Sequence, residues 1–323
     1  MARRIKSKFA LDVFDGKLTS KRALIRYIDI YLENISPENR TDTNEMIAFL
    51  EDPLPDRRII YFGLSHANVP CGFAMFILYP TDRTAVVDQL AIDVKVRGIG
   101  AFFEFVDLIS EYLTEKLIFP DYILVEIMKR SQSLQGEVNP GSLIRLLRVI
   151  GFRVVQIPYI APHTGIVRNP DEYRSALMVV SRQSQSELSR DECTRLIELM
   201  YYTHYLSWYQ KAWDDRRVAP YKHALEKCFK RLSERLQTMD FVRLNGAANA
   251  PEETFMRAGI AQHAPNYARA AILFAPIALT IVISLTQELW LTASVIGATL
   301  FGLVLVFAVP SLRTKFMRFF GLE

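Results

Sequence analysis

Residues 1–182 alternate short apolar strand patterns with amphipathic helical patterns. Apolar runs at 59–64 and 71–79 flank the turn-forming residues His66, Ala67 and Asn68, which predicts a β-hairpin. Further strands are predicted at 85–92, 122–128, 152–157 and 176–181, and helices after Ser20, at 44–50, from Gly98 to Leu113 and at 140–150. This alternation predicts an α/β domain over residues 1–182.

Residues 183–243 have a different pattern, which is charged and helical throughout. Ser189 and Glu192 have the spacing of a capping box that opens a first helix, and a second helix is predicted from about Pro220. The pattern predicts a helical hairpin extension, followed by a linker at 244–266. The first helix carries an aromatic stripe that includes Tyr201 and Trp208. The stripe fits a substrate wall or an interfacial belt, and the favoured interpretation is a helix buried between the first domain and the next element.

The last part of the chain contains two long apolar runs. Residues 267–285 are apolar except for Arg269 at the edge, and residues 289–309 are apolar throughout. Each run is long enough to cross a hydrocarbon core, which takes about 20 helical residues. Residues 267–312 are therefore predicted to form a two-helix transmembrane hairpin, so we expect the lipid bilayer to be one partner of this chain.

The basic residues around this hairpin predict its orientation. Arg257 precedes the spans and the tail at 313–323 is basic, whereas the turn between the spans has no positive charge. The positive-inside rule then places the soluble domain and both termini in the cytoplasm. Small residues at Ser294, Ala298 and Gly302 form a stripe on the second span. Packing within the hairpin is the favoured interpretation, and contact between copies in a homo-oligomer is the alternative.

Composition excludes several classes of protein. Half of the 323 residues are hydrophobic, and there are only 14 Gly and 15 Pro, which excludes a disordered or collagen-like chain. A net charge of +4 without clustered basic residues gives no indication of nucleic-acid binding. Three widely spaced cysteines are expected to be reduced thiols, and the five histidines lack metal-ligand spacing, so no metal is predicted.

One stretch carries a candidate ligand site. The strand at 85–92 leads through Lys95, Arg97, Gly98 and Gly100 into an apolar helix. At a strand–loop–helix junction of this kind, the amides of the first helical turn and the helix dipole favour an anion such as a phosphate. The spacing matches neither a Walker loop nor a Rossmann fingerprint.

Over about residues 9–182 the chain resembles the GNAT superfamily of N-acetyltransferases. The loop from Lys95 to Gly100 is similar to the family's R/Q-x-x-G-x-G/A loop, and the segment from Asn139 to Phe152 is similar to its later N-x-x-a-x-x-L-Y-x-x-x-G-F segment. The resemblance implies a mixed, splayed sheet with flanking helices, and acetyl-CoA or another acyl-CoA as co-substrate. The implied binding residues are Leu90, Ile92, Val94, Lys95, Arg97, Gly98, Ile99, Gly100, Ala101 and Asn139. Of these, the amides from Arg97 to Ala101 would hold the pyrophosphate.

The catalytic groups are less well defined by the sequence. The family's tyrosine, which often protonates the leaving thiolate, corresponds to Leu147, which has no proton to donate. Asp88, Gln89 and Glu126 are candidates for the group that takes the proton of an amine. Asp88 is the preferred catalytic residue, although the ordinary expectation for such a strand carboxylate is exposure to solvent.

These features predict a membrane-anchored N-acyltransferase that transfers an acetyl group from acetyl-CoA to an amine. The acceptor stays open among a protein N-terminus, a lysine, a small amine and a membrane-proximal substrate. One alternative is a GNAT fold without activity that serves as a sensor or scaffold for a membrane effector or partner. A second is an acyltransferase that uses long acyl chains at the membrane surface.

Overall fold

A computed structural model describes residues 8–16, 21–52, 54–128, 139–183 and 185–246, with the backbone alone at Glu38, Gly98 and Ile99. Within these ranges no helix combines the length and the apolar character needed to cross a bilayer. The predicted linker begins at 244, where the chain is still in the last strand of the sheet, and the rest of the linker from residue 247, the membrane hairpin and the basic tail lie outside the described residues.

Nine strands form one sheet in the described part of the chain. The strands are β1 (Phe9–Asp15), β2 (Arg58–His66), β3 (Val69–Tyr79), β4 (Thr84–Ile92), β5 (Tyr122–Met128), β6 (Arg153–Val155), β7 (Ser175–Ser181), β8 (Glu187–Ser189) and β9 (Phe241–Asn245). Their order is β1-β2-β3-β4-β5-β7-β6-β9-β8. Among these pairs β4 and β5 run parallel and the other neighbours are antiparallel. The fold is therefore a mixed α/β sheet with flanking helices, as expected.

Helices cover both faces of the sheet. They are α1 (Lys21–Asn34), α2 (Thr43–Glu51), α3 (Ala101–Glu115), α4 (Pro140–Val149), α5 (Arg190–Glu198), α6 (Ser207–Ala212) and α7 (Asp215–Leu236). A π-helical segment, Leu199–Leu206, joins α5 to α6. One core lies between the sheet and α1, α2 and α5–α7, and a second lies under α3 and α4. Burial on both faces explains why β2 and β3 are continuously apolar, with Tyr61 in the first core and Phe62 in the second.

The parallel pair separates halfway along its length. Thr84 to Val87 of β4 pair with Tyr122 to Val125 of β5, and the ladder stops there. On the other edge of β4, Met75 of β3 lies opposite Gln89 and Phe76 lies opposite Val87, so a β-bulge leaves Asp88 as the extra residue. Asp88 and Glu126 are thus the first residues beyond the paired part of the two strands.

Several predicted elements are confirmed, and some differ. The β2–β3 turn contains Ala67 and Asn68 with φ of 49° and 65°, and the capping box of Ser189 and Glu192 is present. β1 was not predicted. Residues 183–243 were predicted to be entirely helical, but they contain β8 and most of β9, which extend the sheet. These two strands are short and lie at the edge, where the pattern of alternation is too brief to detect.

The aromatic helix packs against the sheet. Tyr201 and Trp208 are buried in the same core as the residues of α1 and β3. Tyr201 donates a hydrogen bond to the carbonyl of Ile160 at 2.6 Å, and the Trp208 indole donates to Glu45 at 2.8 Å. The favoured interpretation of a buried helix is therefore correct for these two residues.

Candidate active site

A cavity of about 1160 Å³ follows the gap between β4 and β5. It extends from the carboxylates Asp88 and Glu126 to Gly100 and the start of α3. The side under α3 and α4 is apolar, whereas the opposite side carries Tyr205, Tyr209 and Trp213 from the aromatic helix. A concave site with mostly apolar walls and a few convergent polar groups is the usual form of a small-molecule site.

Asp88 belongs to a chain of three hydrogen-bonded side chains. His204 lies between the other two, with Nε2 at 3.0 Å from Asp88 Oδ1 and Nδ1 at 2.7 Å from the Tyr79 hydroxyl oxygen. The side chain of Asp88 is only 9% exposed and that of His204 only 3%. The expectation of a solvated Asp88 was therefore wrong, because the bulge in β4 directs this carboxylate toward the packed π-helical segment.

Arg57 fixes the segment that carries His204. Its guanidinium donates hydrogen bonds to the carbonyls of Thr203 and His204 and to the Ser207 hydroxyl, and it lies 5.1 Å from the centre of the Tyr79 ring. A π-helical segment interrupts the regular i to i−4 ladder, and such segments are frequent at functional sites. A buried carbonyl without a donor costs about 1–3 kcal/mol, so Arg57 stabilises this irregular backbone.

Glu126 accepts two hydrogen bonds from tyrosines. The Tyr159 hydroxyl donates to Oε1, and the Tyr205 hydroxyl donates to Oε2 at 2.6 Å. Burial raises the pKa of Glu126 to about 7, the negative charge of Asp88 acts in the same direction, and the two tyrosine hydrogen bonds partly oppose the rise. A carboxyl group that titrates near neutral pH in a cavity is typical of a site of proton transfer or ligand charge recognition.

The glycine loop closes the other end of β4. The Asp93 side chain accepts from the Lys95 amide at 2.9 Å and begins a 3₁₀ helix, Val94–Ile99. Gly100, with φ of 86°, then turns the chain into α3. This left-handed conformation favours glycine. At the start of α3 the first amides have no intrahelical acceptor, as an anion site requires.

The predicted binding residues are distributed unevenly around the cavity. Leu90, Ile92, Arg97 and Gly100 line it, together with Leu147, the residue at the family's tyrosine position. Arg97 donates to the carbonyl of Ile92 and to the side chain of Asn34, both at 2.9 Å. This arginine therefore helps to hold the end of β4 and is not solely a counter-charge.

The remaining predicted binding residues lie outside the cavity or belong to the loop and helix ends around it. Val94 and Lys95 have exposed side chains outside the cavity, and Ala101 is buried at the start of α3. Asn139 caps α4 by accepting from the Gly141 amide at 2.9 Å. Gly98 and Ile99 lie within the 3₁₀ helix. Gln89, the third candidate base, donates to the Thr41 hydroxyl at 3.3 Å.

Sequence reasoning missed the partners of the two carboxylates. His204 was considered isolated because its partners Asp88 and Tyr79 are 116 and 125 residues away in the chain. The one available signal was the polar His204 within an otherwise aromatic stripe. Within the described residues no group of three His, Cys, Asp or Glu side chains could hold a metal ion.

Comparison with known proteins gives similarities of fold. No protein-family model matches the sequence, and no curated protein matches it. The structure is similar to a GNAT-family acetyltransferase from Bacteroides thetaiotaomicron, with 15% identity, a TM-score of 0.43, and coverage of 60% of this chain and 98% of that one. It is also similar to the ribosomal-protein-S18-alanine N-acetyltransferase from Escherichia coli, with 11% identity, a TM-score of 0.37, and coverage of 53% and 94%. At TM-scores below 0.5 these similarities carry no argument about function, which depends on the geometry of the site.

The raised pKa of Glu126 predicts a pH-dependent effect of Glu126→Gln. A raised pKa gives stability that is fully present below about pH 4.5 and is lost as the pH rises through about 7. Glutamine does not ionise, so the variant should gain several degrees in Tm over wild type at pH 8 and much less at pH 5. Thermal unfolding at both pH values measures this difference.

Glu192→Gln is the matched control. Hydrogen bonds from Tyr122 and Ser189 lower the pKa of Glu192, so its contribution is lost only as the pH falls through that lowered value. The effect of Glu192→Gln should therefore be nearly the same at pH 5 and pH 8. Equal Tm changes for Glu126→Gln at the two pH values would contradict the raised pKa.

Proposed function

We propose that this chain is an acyl-CoA-dependent N-acyltransferase that transfers an acetyl group to an amine. The observation that carries the proposal is the position of Asp88 and Glu126. Both lie where the parallel strands separate, and both face the cavity that ends at Gly100 and the start of α3. This arrangement combines proton acceptors with an anion-binding helix start in one continuous space.

The glycine loop is the proposed binding site for acyl-CoA. The amides at the start of α3 would hold the pyrophosphate, because the helix N-terminus favours negative charge. Leu90 and Ile92 line the cavity between that point and the carboxylates. The acyl-pantetheine arm would follow this edge, so that the thioester carbonyl reaches the gap between β4 and β5.

The two carboxylates are the candidate groups for proton transfer. Transfer forms a bond from the amine nitrogen to the acyl carbon and breaks the bond from that carbon to sulfur, and the attacking nitrogen loses a proton. We assign this proton to Asp88, because within the described residues its side-chain hydrogen bond uses Oδ1 and leaves Oδ2 for the cavity. Both oxygens of Glu126 already accept from tyrosines. Leu147 donates no proton, so the leaving thiolate would take its proton from water.

One observation favours a second candidate, a longer acyl chain. The cavity wall under α3 and α4 is apolar along much of the length of both helices, including Phe102, Val106, Ile109, Leu143 and Leu146. An apolar wall of this length stabilises a hydrocarbon chain by about 0.8 kcal/mol per buried CH₂. Calorimetry with acetyl-CoA and a long-chain acyl-CoA distinguishes the two donors, and the donor that binds more tightly identifies the class.

The loop variants Gly98→Asp and Gly98→Asn test the proposed function. Aspartate adds a negative charge beside the pyrophosphate, and asparagine has nearly the same shape without the charge. We expect Gly98→Asp to weaken acetyl-CoA binding in calorimetry by at least tenfold relative to Gly98→Asn. Release of CoA thiol with a panel of amines then measures turnover of the wild type.

Two results would contradict this proposal in different ways. Equal acetyl-CoA affinity of the two Gly98 variants would exclude the loop as the phosphate site. Tight binding by the wild type without turnover of any amine would instead favour the sensor or scaffold.

We also propose that residues 267–312 anchor the enzyme in the membrane, with the N-terminal domain and both termini in the cytoplasm. The support is the pair of long apolar runs and the basic residues on both sides of them.

Deletion of residues 267–323 should move the protein from the membrane to the soluble fraction after cell lysis. The control is deletion of residues 313–323 alone, which retains both apolar runs and should leave the protein in the membrane fraction. Fractionation followed by immunoblotting measures both. A longer deletion that still sediments with membranes would place the anchor elsewhere.

A further inference from the structure

We propose that His204 is a positioning residue that holds Asp88 in place to accept the proton of the attacking amine. This inference rests on the proposed function and adds a role for the segment between α5 and α6. His204 contacts Asp88 through Nε2 and Tyr79 through Nδ1, and it has no place in the cavity wall itself. Its action on the substrate must therefore pass through Asp88.

The two partners of the imidazole determine its tautomer. Burial raises the pKa of the Tyr79 hydroxyl well above its ordinary value, so this hydroxyl keeps its proton. In the tautomer that suits both partners this hydroxyl donates to Nδ1, because the Asp88 carboxylate can only accept and takes the hydrogen of Nε2. Nε2 consequently carries the hydrogen and donates it to the Asp88 carboxylate.

Groups from several elements face or flank the imidazole: Asp88 on β4, Tyr79 on β3, Arg57 before β2, and Tyr205 on its own segment, whose ring lies 4.6 Å from the His204 ring centre. Tyr205 in turn connects to Glu126. The Arg57 guanidinium is bonded to the His204 carbonyl and is ion-paired with Asp56, so Asp88 is the carboxylate that contacts the ring itself.

Hydrogen bonds to both the backbone and the ring of His204 restrict its motion. Arg57 holds the carbonyls of Thr203 and His204, and its side chain is fully buried. The imidazole is thus fixed through its backbone and through both ring nitrogens. A catalytic group displaced by about 1 Å can lose about 100-fold in rate, so a rigid support for Asp88 has a measurable kinetic value.

The variants His204→Gln and His204→Asn form a matched pair. A glutamine amide can reach the position of Nε2 and donate to Asp88, whereas the shorter asparagine can reach only the position of Nδ1. We expect kcat of the full-length His204→Asn protein to fall about 100-fold and kcat of His204→Gln to stay within about tenfold of wild type. The KM and calorimetric Kd for acetyl-CoA should be unchanged in both, because the loop at Gly100 is intact.

Two further measurements separate positioning from a merely structural role. Tyr201→Phe removes a buried hydroxyl from the same π-helical segment without touching Asp88, so its kcat should equal that of wild type. Nitrogen-15 NMR of histidine-labelled protein should show a protonated Nε2 on His204, and Tyr79→Phe should change that resonance.

The outcomes distinguish this inference from the proposed function. If the wild type is active and His204→Gln and His204→Asn have equal kcat, the positioning role alone is overturned. An NMR spectrum that places the hydrogen on Nδ1 and leaves Nε2 unprotonated also overturns it. A wild type that binds acetyl-CoA but acylates no amine overturns the proposed function, and the positioning role with it. Loss of acetyl-CoA binding in His204→Asn would also overturn the role, since it would indicate a general structural effect.

Discussion

The hydrogen bond between His204 Nε2 and Asp88 Oδ1 joins the two interruptions of regular secondary structure on which the site depends. One is the β-bulge in β4 that leaves Asp88 without a partner in β3, and the other is the π-helical segment Leu199–Leu206. Each interruption alone leaves backbone groups poorly satisfied and is unfavourable. Together with the buried Arg57, which binds the π-helical carbonyls, they stabilise one another and place a carboxylate at the edge of a cavity.

The gap between β4 and β5 is possible because each strand is held from its other side. β4 pairs with β3 as far as Ile92, and β5 pairs with β7 through its whole length, up to Met128 opposite Ser175. Helices cover both faces, so neither strand needs its parallel neighbour to remain buried. The sheet can therefore lose the ladder beyond Val87 and Val125 and still keep its core, and the space between the strands becomes available to a ligand.

The sequence predicts the central strands well, but it predicts poorly the edge strands and the contacts between distant residues. β2 and β3 were recognisable as continuous apolar runs, and β4 and β5 as apolar runs interrupted only by Asp88, Gln89 and Glu126. β8 and β9 have three and five residues and lie at the edge, so local pattern carries almost no information about them. The glycine loop was found because it follows a strand in sequence, and Asp88 because it is a carboxylate within that strand. The roles of His204, Tyr205 and Arg57 were missed because they arise from contacts between residues far apart in the sequence, which local spacing does not indicate.

The two carboxylates of the cavity accept their hydrogen bonds from different kinds of donor. Asp88 accepts from an imidazole that lies next to Arg57, whereas Glu126 depends on two neutral hydroxyls and has a pKa raised to about 7. Environments that separate the behaviour of neighbouring carboxyl groups allow one site to hold a charge and exchange a proton at the same pH. An amine attacks a thioester as the free base, and its nitrogen loses a further proton as the new bond forms. In the proposed function this is the proton that the firmly held Asp88 receives.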